Sequence, residues 1–530
     1  MKILINNIKL RLEDDITLLQ SRVSKKLSIS SKDFTNFKIV KESIDARKKN
    51  NINLIYSATV EVDSECKLPF DNDIKKLDST EEEKFTYGTK KLNERPVIVG
   101  SGPAGLFAAL LLSEYGFKPL LIERGDSVEN RIGSVTGYWE KGILDTESNI
   151  QFGEGGAGTF SDGKLTTRIN DHRCEKVLKE FNKSGISEEI LYKAKPHIGT
   201  DKLRGVLVNI RKRIIQNGGE IRFRTKLESL NISNGKITSV LLNSKEIIPA
   251  EVVVLAIGHS ARDTFTNLYS QGIFFEQKPF SVGVRIEHPQ KLIDKAQFGI
   301  HAGHPKLGEA EYHLFYKTGE RTVYSFCMCP GGIVVASASE SGMIVTNGMS
   351  EFARNRENAN SAWVVSVAPV DFASQHPLSG IEFQRNLERL AFKHGGEDNS
   401  APIQTLKDFA NGVNSTKIGG VKPSYTGKTK IADINNILPG FITNPMKESI
   451  KYFNSKLTGF GINDALLTGV ETRTSSPVRI TRDDSLQALR VRGLYPSGEG
   501  AGYAGGIVSA AVDGMRVAEE IIKTYRPSNF

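Results

Sequence analysis

Three glycine-rich stretches are the first places in this chain where residue type and spacing could do chemistry. The pattern G-x-G-x-x-G occurs at Gly100, Gly102 and Gly105, at Gly153, Gly155 and Gly158, and at Gly500, Gly502 and Gly505. Such spacing lets backbone N–H groups approach a phosphate only where a strand leads in and a helix leads out. The first stretch meets that condition: residues 96–99 are an apolar strand and residues 103–115 an apolar helix. Gly100 permits the tight turn, Gly102 lets the backbone reach a pyrophosphate, and Gly105 packs the helix closely on the strand. Pro103 takes the first helical position, where its missing N–H costs nothing. Residues Gly100, Ser101, Gly102, Pro103, Ala104 and Gly105 thus form a helix N-terminus that favours a diphosphate. Glu123 ends the next strand, placed to accept from ribose hydroxyls, and Arg124 follows it.

The other two stretches differ. Residues 153–165, GEGGAGTFSDGKL, have no apolar helix behind them. They read as a loop whose N–H groups at Gly155, Gly156, Ala157 and Gly158, together with Lys164, line an anion. The loop nearly spells a P-loop, but Leu165 stands where a Mg²⁺-binding Ser or Thr belongs, which argues against an NTPase. After Gly505 only 25 residues remain, enough for one helix and not for a returning strand. Gly505, Gly506 and Ile507 therefore open a final helix toward a ligand.

Other candidates have plainer readings beside them. Cys327 and Cys329 in SFCMCPGG have C-x-C spacing, so in a strand both thiols share one face. A redox role for them competes with the ordinary inertness of buried cysteine. His301 and His304 lack a third ligand, and no metal is expected. His259 and Arg262 line a cofactor site or simply complete a turn. Glu471, Arg473 and Arg479 bind an acidic substrate or pair among themselves. No residue is assigned as catalytic.

These residues need elements to hold them. A chain of 530 residues carries several domains, and its 39% apolar and 25% charged content is that of a water-soluble protein. The net charge of +9 is spread thinly and contains no basic tract of nucleic-acid type. With four cysteines, no signal peptide and no run long enough to span a bilayer, the expectation is a cytoplasmic protein. The pattern divides into a ferredoxin-like β-α-β-β unit at 1–63, a linker at 64–93 and a β-α-β region at 94–269. A mixed α+β domain at 270–465 and a return to the first pattern at 466–530 complete it. The fold class is α/β, Rossmann-like.

Taken together, VIVGSGPAGLFAALLL…LLIERG, EGGAGTFSDGKLTTR, VVVLAIGHSARDTF and LYPSGEGAGYAGGIVSAAVDGMRVAEEI resemble a family of uncharacterised FAD-dependent dehydrogenases. That family lies within the glutathione-reductase-like class of flavoproteins. The resemblance implies a segmented FAD domain interrupted by a substrate domain, with the pyrophosphate on the 100–105 turn and the ribose on Glu123. It implies that Gly258 lies near the cofactor. It also implies that Glu499 and Gly500 stand where the wider class has Gly-Asp. Gly505 and Gly506 would leave room for the isoalloxazine ring. The implied activity is a non-covalent FAD oxidoreductase acting on a small molecule by hydride transfer at N5. Residues 151–530 show no second β-α-β dinucleotide unit, so NAD(P)H would bind transiently or through the substrate domain, or the electron donor is something else. A flavin-dependent RNA-modifying enzyme and a non-catalytic FAD redox sensor are the alternatives. Oligomeric state is not legible.

Overall fold

The computed structural model describes residues 1–77 and 85–528. Its first sheet contains β1 (Lys2–Arg11), β2 (Phe34–Asp45), β3 (Asn53–Val62) and β4 (Ile74–Leu77), paired antiparallel in the order β2-β3-β1-β4. Helix α1 (Leu18–Leu27) packs Leu19, Val23 and Leu27 against Ile3, Ile5, Ile8 and Leu10 of β1. The helix begins only at Leu18. Asp15 spends its carboxylate on the Thr17 N–H at 2.8 Å, and Ile16 stays exposed. Residues 64–93, read above as a linker, supply β4 and the short strand Lys90–Lys91, which pairs with Tyr525–Arg526. Residues 78–84 of that stretch lie outside the described residues.

The second sheet is parallel and holds the glycine turns. Its order is Leu494–Pro496, Val253–Leu255, Val97–Val99, Leu120–Ile122, Glu220–Arg222. Alternation sends Ile98, Leu121 and Val254 to one face and Val97, Val99, Leu120, Ile122, Val253 and Leu255 to the other. The first face is covered by helices Pro103–Glu114, Thr200–Gln216 and Ile507–Thr524. Because Pro103–Glu114 lies between its neighbours, every residue from Ala104 to Ser113 is buried, which explains its all-round apolarity. The second face is covered by the antiparallel strands Leu227–Ser233, Lys236–Leu242 and Glu246–Pro249, and by helix Arg262–Ser270.

The third sheet has seven strands: Phe315–Thr318, Arg321–Cys329, Asn358–Val367, Phe280–Pro289, Leu466–Glu471, Ala401–Thr405 and Thr429–Ile431. Leu466–Glu471, assigned above to the C-terminal return, is instead an interior strand here, paired on both edges. Helix Gly440–Lys456 lies against the sheet, where Trp363, Phe409, Phe453 and Phe460 meet edge to face. Among the described residues no helix is long and apolar enough to cross a membrane.

Candidate functional site

The parallel sheet delivers four turns to one edge, at the carboxyl ends of its strands. Val97–Val99 runs into Gly100, Leu120–Ile122 into Glu123, Val253–Leu255 into Gly258, and Leu494–Pro496 into Ser497 and Gly498. The strand order reverses direction beside Val97–Val99, which is where open α/β sheets form a ligand crevice.

Each glycine of the first turn has a visible reason. Gly100 has φ +100°, and a side chain there would collide with the Ala256 carbonyl. A side chain on Gly105 would strike the carbonyl of Gly100. Gly102 differs: its φ is −68°, and the nearest atom to an added Cβ is the Gly156 Cα at 4.0 Å. The space beside Gly102 is open, at the N-cap of a helix whose first N–H groups lack intrahelical partners.

Glu123 does more than end a strand. Its carboxylate, 5% exposed, accepts from Ser101 N at 2.9 Å, Ser101 Oγ at 2.8 Å, Gly125 N at 2.9 Å and Gly153 N at 3.0 Å. It therefore pins the first glycine turn to the second glycine loop. Gly155 N donates to Ser101 O at 2.9 Å, and Gly156 lies against Gly102. At the far end of the loop an added Cβ on Gly158 would sit 3.2 Å from Ile507 Cγ1, at the start of the last helix.

The third stretch closes the crevice. Gly500 packs on the Gly258 carbonyl, and Gly514 of the last helix packs on the Ala104 carbonyl of the first. Two helix N-termini, at Pro103 and Ile507, thus stand side by side. Asp513 fixes this arrangement by accepting from Gly498 N at 2.7 Å and from Arg482 at 2.6 Å. Gly505 and Gly506 are exposed, and no atom lies within 4 Å of a Cβ placed on Gly505. His259 Nδ1 lies 3.4 Å from Glu499 Oε1, while its Nε2 is buried without a partner. Open space at Gly102 and Gly505, two helix N-termini and an orphaned imidazole nitrogen are what an extended diphosphate ligand requires.

Two expected site residues point elsewhere. Arg124 forks onto Asp263 at 2.9 and 3.0 Å, bonds Glu147 at 2.8 Å and lies over the Phe152 ring. Lys164 bonds the Met328 carbonyl on the seven-stranded sheet and lies 3.8 Å from Asp162. Burial works against its charge, but Glu311 and Asp162 outweigh that and raise its pKa.

One residue that shapes the site escapes the motif reading. Arg131, fully buried, donates to the carbonyls of Asn149, Ile150 and Glu154 and so moulds the second loop. Burial pulls its pKa down to about 10. Its signal was positional, since it falls with Val128, Val135 and Tyr138 on the buried face of helix Val128–Lys141.

A family described as "FAD-dependent protein, C-terminal domain-like" matches residues 279–474, and an NAD(P)-binding Rossmann-like domain matches 98–141. A domain of unknown function, DUF8436, matches residues 1–61. A protein of Clostridium beijerinckii, named only "Uncharacterized protein", is 51% identical over 530 residues, covering 99% of both chains. The chain belongs to the same family as this clostridial protein, and its 279–474 domain is that of FAD-dependent proteins. FAD is the cofactor of that family. Among solved structures, L-proline dehydrogenase from P. horikoshii is 12% identical, covering 82% of this chain and 94% of that one, at a TM-score of 0.36. CtdE in complex with FAD is 12% identical over 82% and 87%, at 0.32. Likeness at this level carries no argument about substrate. Among the described residues no group of three or more His, Cys, Asp or Glu is arranged to hold a metal.

Proposed function

We propose that this FAD-dependent protein is a cytoplasmic flavoenzyme of the glutathione-reductase-like class, oxidising or reducing a small molecule with non-covalent FAD. The observation that carries the reading is the convergence of two helix N-termini and the 153–158 loop on one edge of the parallel sheet. Bound there, the flavin would supply hydride transfer at N5. Every other contribution comes from the chain. The N–H groups of Gly102, Ala104 and Gly105, with that of Ala157 in the second loop, hold the pyrophosphate, and His259 as an imidazolium donates Nε2–H toward the same anion. Glu499 accepts from Nδ1–H of that imidazolium. Glu123 keeps both glycine segments in register, and any contact it makes with a ribose is additional to its four protein donors. Gly505, Gly506 and Ile507 present the positive end of the last helix, which stabilises negative charge arriving beside it. The FAD-binding part is assembled from residues 94–269 and the segment after Thr474. The seven-stranded sheet between them carries the substrate.

The test is an anaerobic titration of the purified protein with NADH and then NADPH, following the visible flavin band. Rapid bleaching by either identifies a nicotinamide-linked reductase that binds its donor transiently. An unbleached band points to a dehydrogenase reduced by its own substrate, or to the redox-sensor alternative. Absence of a flavin band after FAD is added back overturns the proposal.

A further inference from the structure

The strand Arg321–Cys329 does not run regularly to its end. Its pairing with Asn358–Val367 slips between Phe326 and Cys329, and Cys327 takes φ +42°, a left-handed conformation costly for any residue but glycine. Two cysteines in a regular strand stand about 6.6 Å apart, at the edge of what a disulfide spans. Here the regular extension is broken at Cys327 itself. Cys329 is buried and its Sγ lies 3.3 Å from the Cys327 carbonyl, while Cys327 is half-buried. All four cysteines of the chain are free thiols.

Three cations, each paired with a carboxylate, surround the two cysteines. Arg285, fully buried on the neighbouring sheet strand Phe280–Pro289, donates to the Cys327 carbonyl at 2.9 Å. Lys164, from the second glycine loop, holds the Met328 carbonyl between the two cysteines. Arg354 stands nearby, paired to Asp162, and Glu471 pairs with Arg285 at 2.7 Å. A hydrogen bond from Cys329 pushes the Cys327 thiol below its ordinary range; burial opposes this, and Arg285 and Lys164 assist it. The same bond, with burial, pushes Cys329 up. Directly across from Cys329 in the sheet, Asn360 spends Oδ1 on Arg285 at 3.1 Å. That bond fixes the amide, and its Nδ2 is a buried donor with no partner. The donor has something still to bind.

We propose that Cys327 and Cys329 are a thiol–disulfide couple, Cys327 the attacking thiolate and Cys329 the resolving thiol, whose reaction partner is a low-molecular-weight disulfide. The Cys327 thiolate attacks one sulfur of the disulfide, forming a mixed disulfide and expelling the other half as a thiolate. Cys329 then loses its proton to that expelled thiolate and attacks the Cys327 sulfur. The second half leaves as a thiolate, the couple is oxidised, and the small disulfide has gained two electrons. Nothing in this sequence depends on the cofactor reading.

The experiment uses the full-length protein and needs no variant at first. Iodoacetamide alkylation at about pH 7, read by peptide mass spectrometry, should label Cys327 roughly ten-fold faster than Cys66 or Cys174. Glutathione disulfide should then leave the peptide containing both cysteines two hydrogens lighter, with Cys327 linked to Cys329. In Cys329→Ser the reaction should stall as a glutathione adduct on Cys327. Labelling of Cys327 no faster than Cys174 overturns the proposal, as does a peptide that keeps both thiols after glutathione disulfide.

Discussion

Two buried arginine clusters line the seven-stranded sheet, and they are built for different purposes. In the first, Arg262 from the turn after Gly258 and Arg473 both grip the fully buried carboxylate of Glu388. Arg262 reaches it at 2.7 and 2.8 Å, Arg473 at 3.0 and 3.2 Å, and Thr472 adds a bond at 2.7 Å. Gln384, Ser260 and Ser339 take further guanidinium donors. In the second, one arginine, Arg285, meets one carboxylate, Glu471, beside a thiol pair and the unpartnered Asn360 Nδ2. The carboxyls shift in opposite directions. Burial raises both, but two guanidiniums overcome it at Glu388 and hold that acid well below its ordinary range. At Glu471 burial wins, and its pKa rises. The first cluster ties the parallel sheet's turns to the helix Ser379–Gly395. Each cluster keeps one buried donor without a partner, Arg262 Nε in the first and Asn360 Nδ2 in the second, and only the second sets that donor across the sheet from a thiol.

The largest effect should follow from breaking the first cluster. Glu388→Gln leaves two buried guanidiniums facing an amide and should cost about 3–5 kcal/mol, seen as a lower thermal midpoint. The pH dependence has a definite sign. Since the folded carboxyl holds its proton less readily than the unfolded one, the unfolded chain gains it first on acidification. Stability should be complete above the ordinary glutamate pKa of about 4.3 and fall progressively below it. In Glu388→Gln that acid-sensitive component should vanish; an unchanged acid profile would refute the assignment.

Gly102→Val comes next. Its backbone is compatible with a side chain and an added Cβ meets no atom closer than 4.0 Å, so the apoprotein should still fold, losing about 1 kcal/mol for a poorer N-cap. The valine fills the space beside the helix N-terminus, and FAD should bind at least ~10-fold more weakly, about 1.4 kcal/mol. A variant that keeps full FAD affinity would move the cofactor away from this turn. His259→Ala removes the orphaned donor and should weaken FAD by a similar factor, since hydrogen bonds to charged groups contribute about 1.5–3 kcal/mol. Equal FAD affinity in a fluorescence titration would show that Nε2 serves another partner.

The same contrast explains what was legible in the sequence. The first glycine turn could be read because its requirements are local: Gly100, Pro103 and Gly105 act within six residues of one another. The strands at its flanks were legible from apolarity, and the interdigitated helix 103–114 from its lack of a polar face. Glu123 was recognisable as an acid at a strand end, but not its four internal donors, which come from segments up to 30 residues away. Both arginine clusters were illegible. Arg262 meets Glu388 across 126 positions and Arg285 meets Glu471 across 186, and no local pattern distinguishes such a pairing from a solvated surface. Glu471, Arg473 and Arg479 looked like one polar group. The strand ends at Glu471, which meets Arg285, and the chain beyond it turns and carries Arg473 to Glu388, while Arg479 lies over Tyr503. Lys164 was read with its glycine loop, yet it leaves that loop to hold the backbone between the two cysteines.

The smallest predicted effect sharpens this last point. Lys164→Met deletes one of the cations around Cys327 while keeping the length of the side chain. A cation favours the thiolate, so its loss should raise the Cys327 pKa and lower the thiolate fraction near neutrality. Alkylation of Cys327 should slow by roughly two- to five-fold at about pH 7, since Arg285 and the Cys329 hydrogen bond remain. By about pH 9.5 the two proteins should react at nearly the same rate, because both thiols are then ionised. A rate lowered equally at both pH values would mean that Lys164 only positions the backbone through Met328, and the electrostatic part of the comparison would fail.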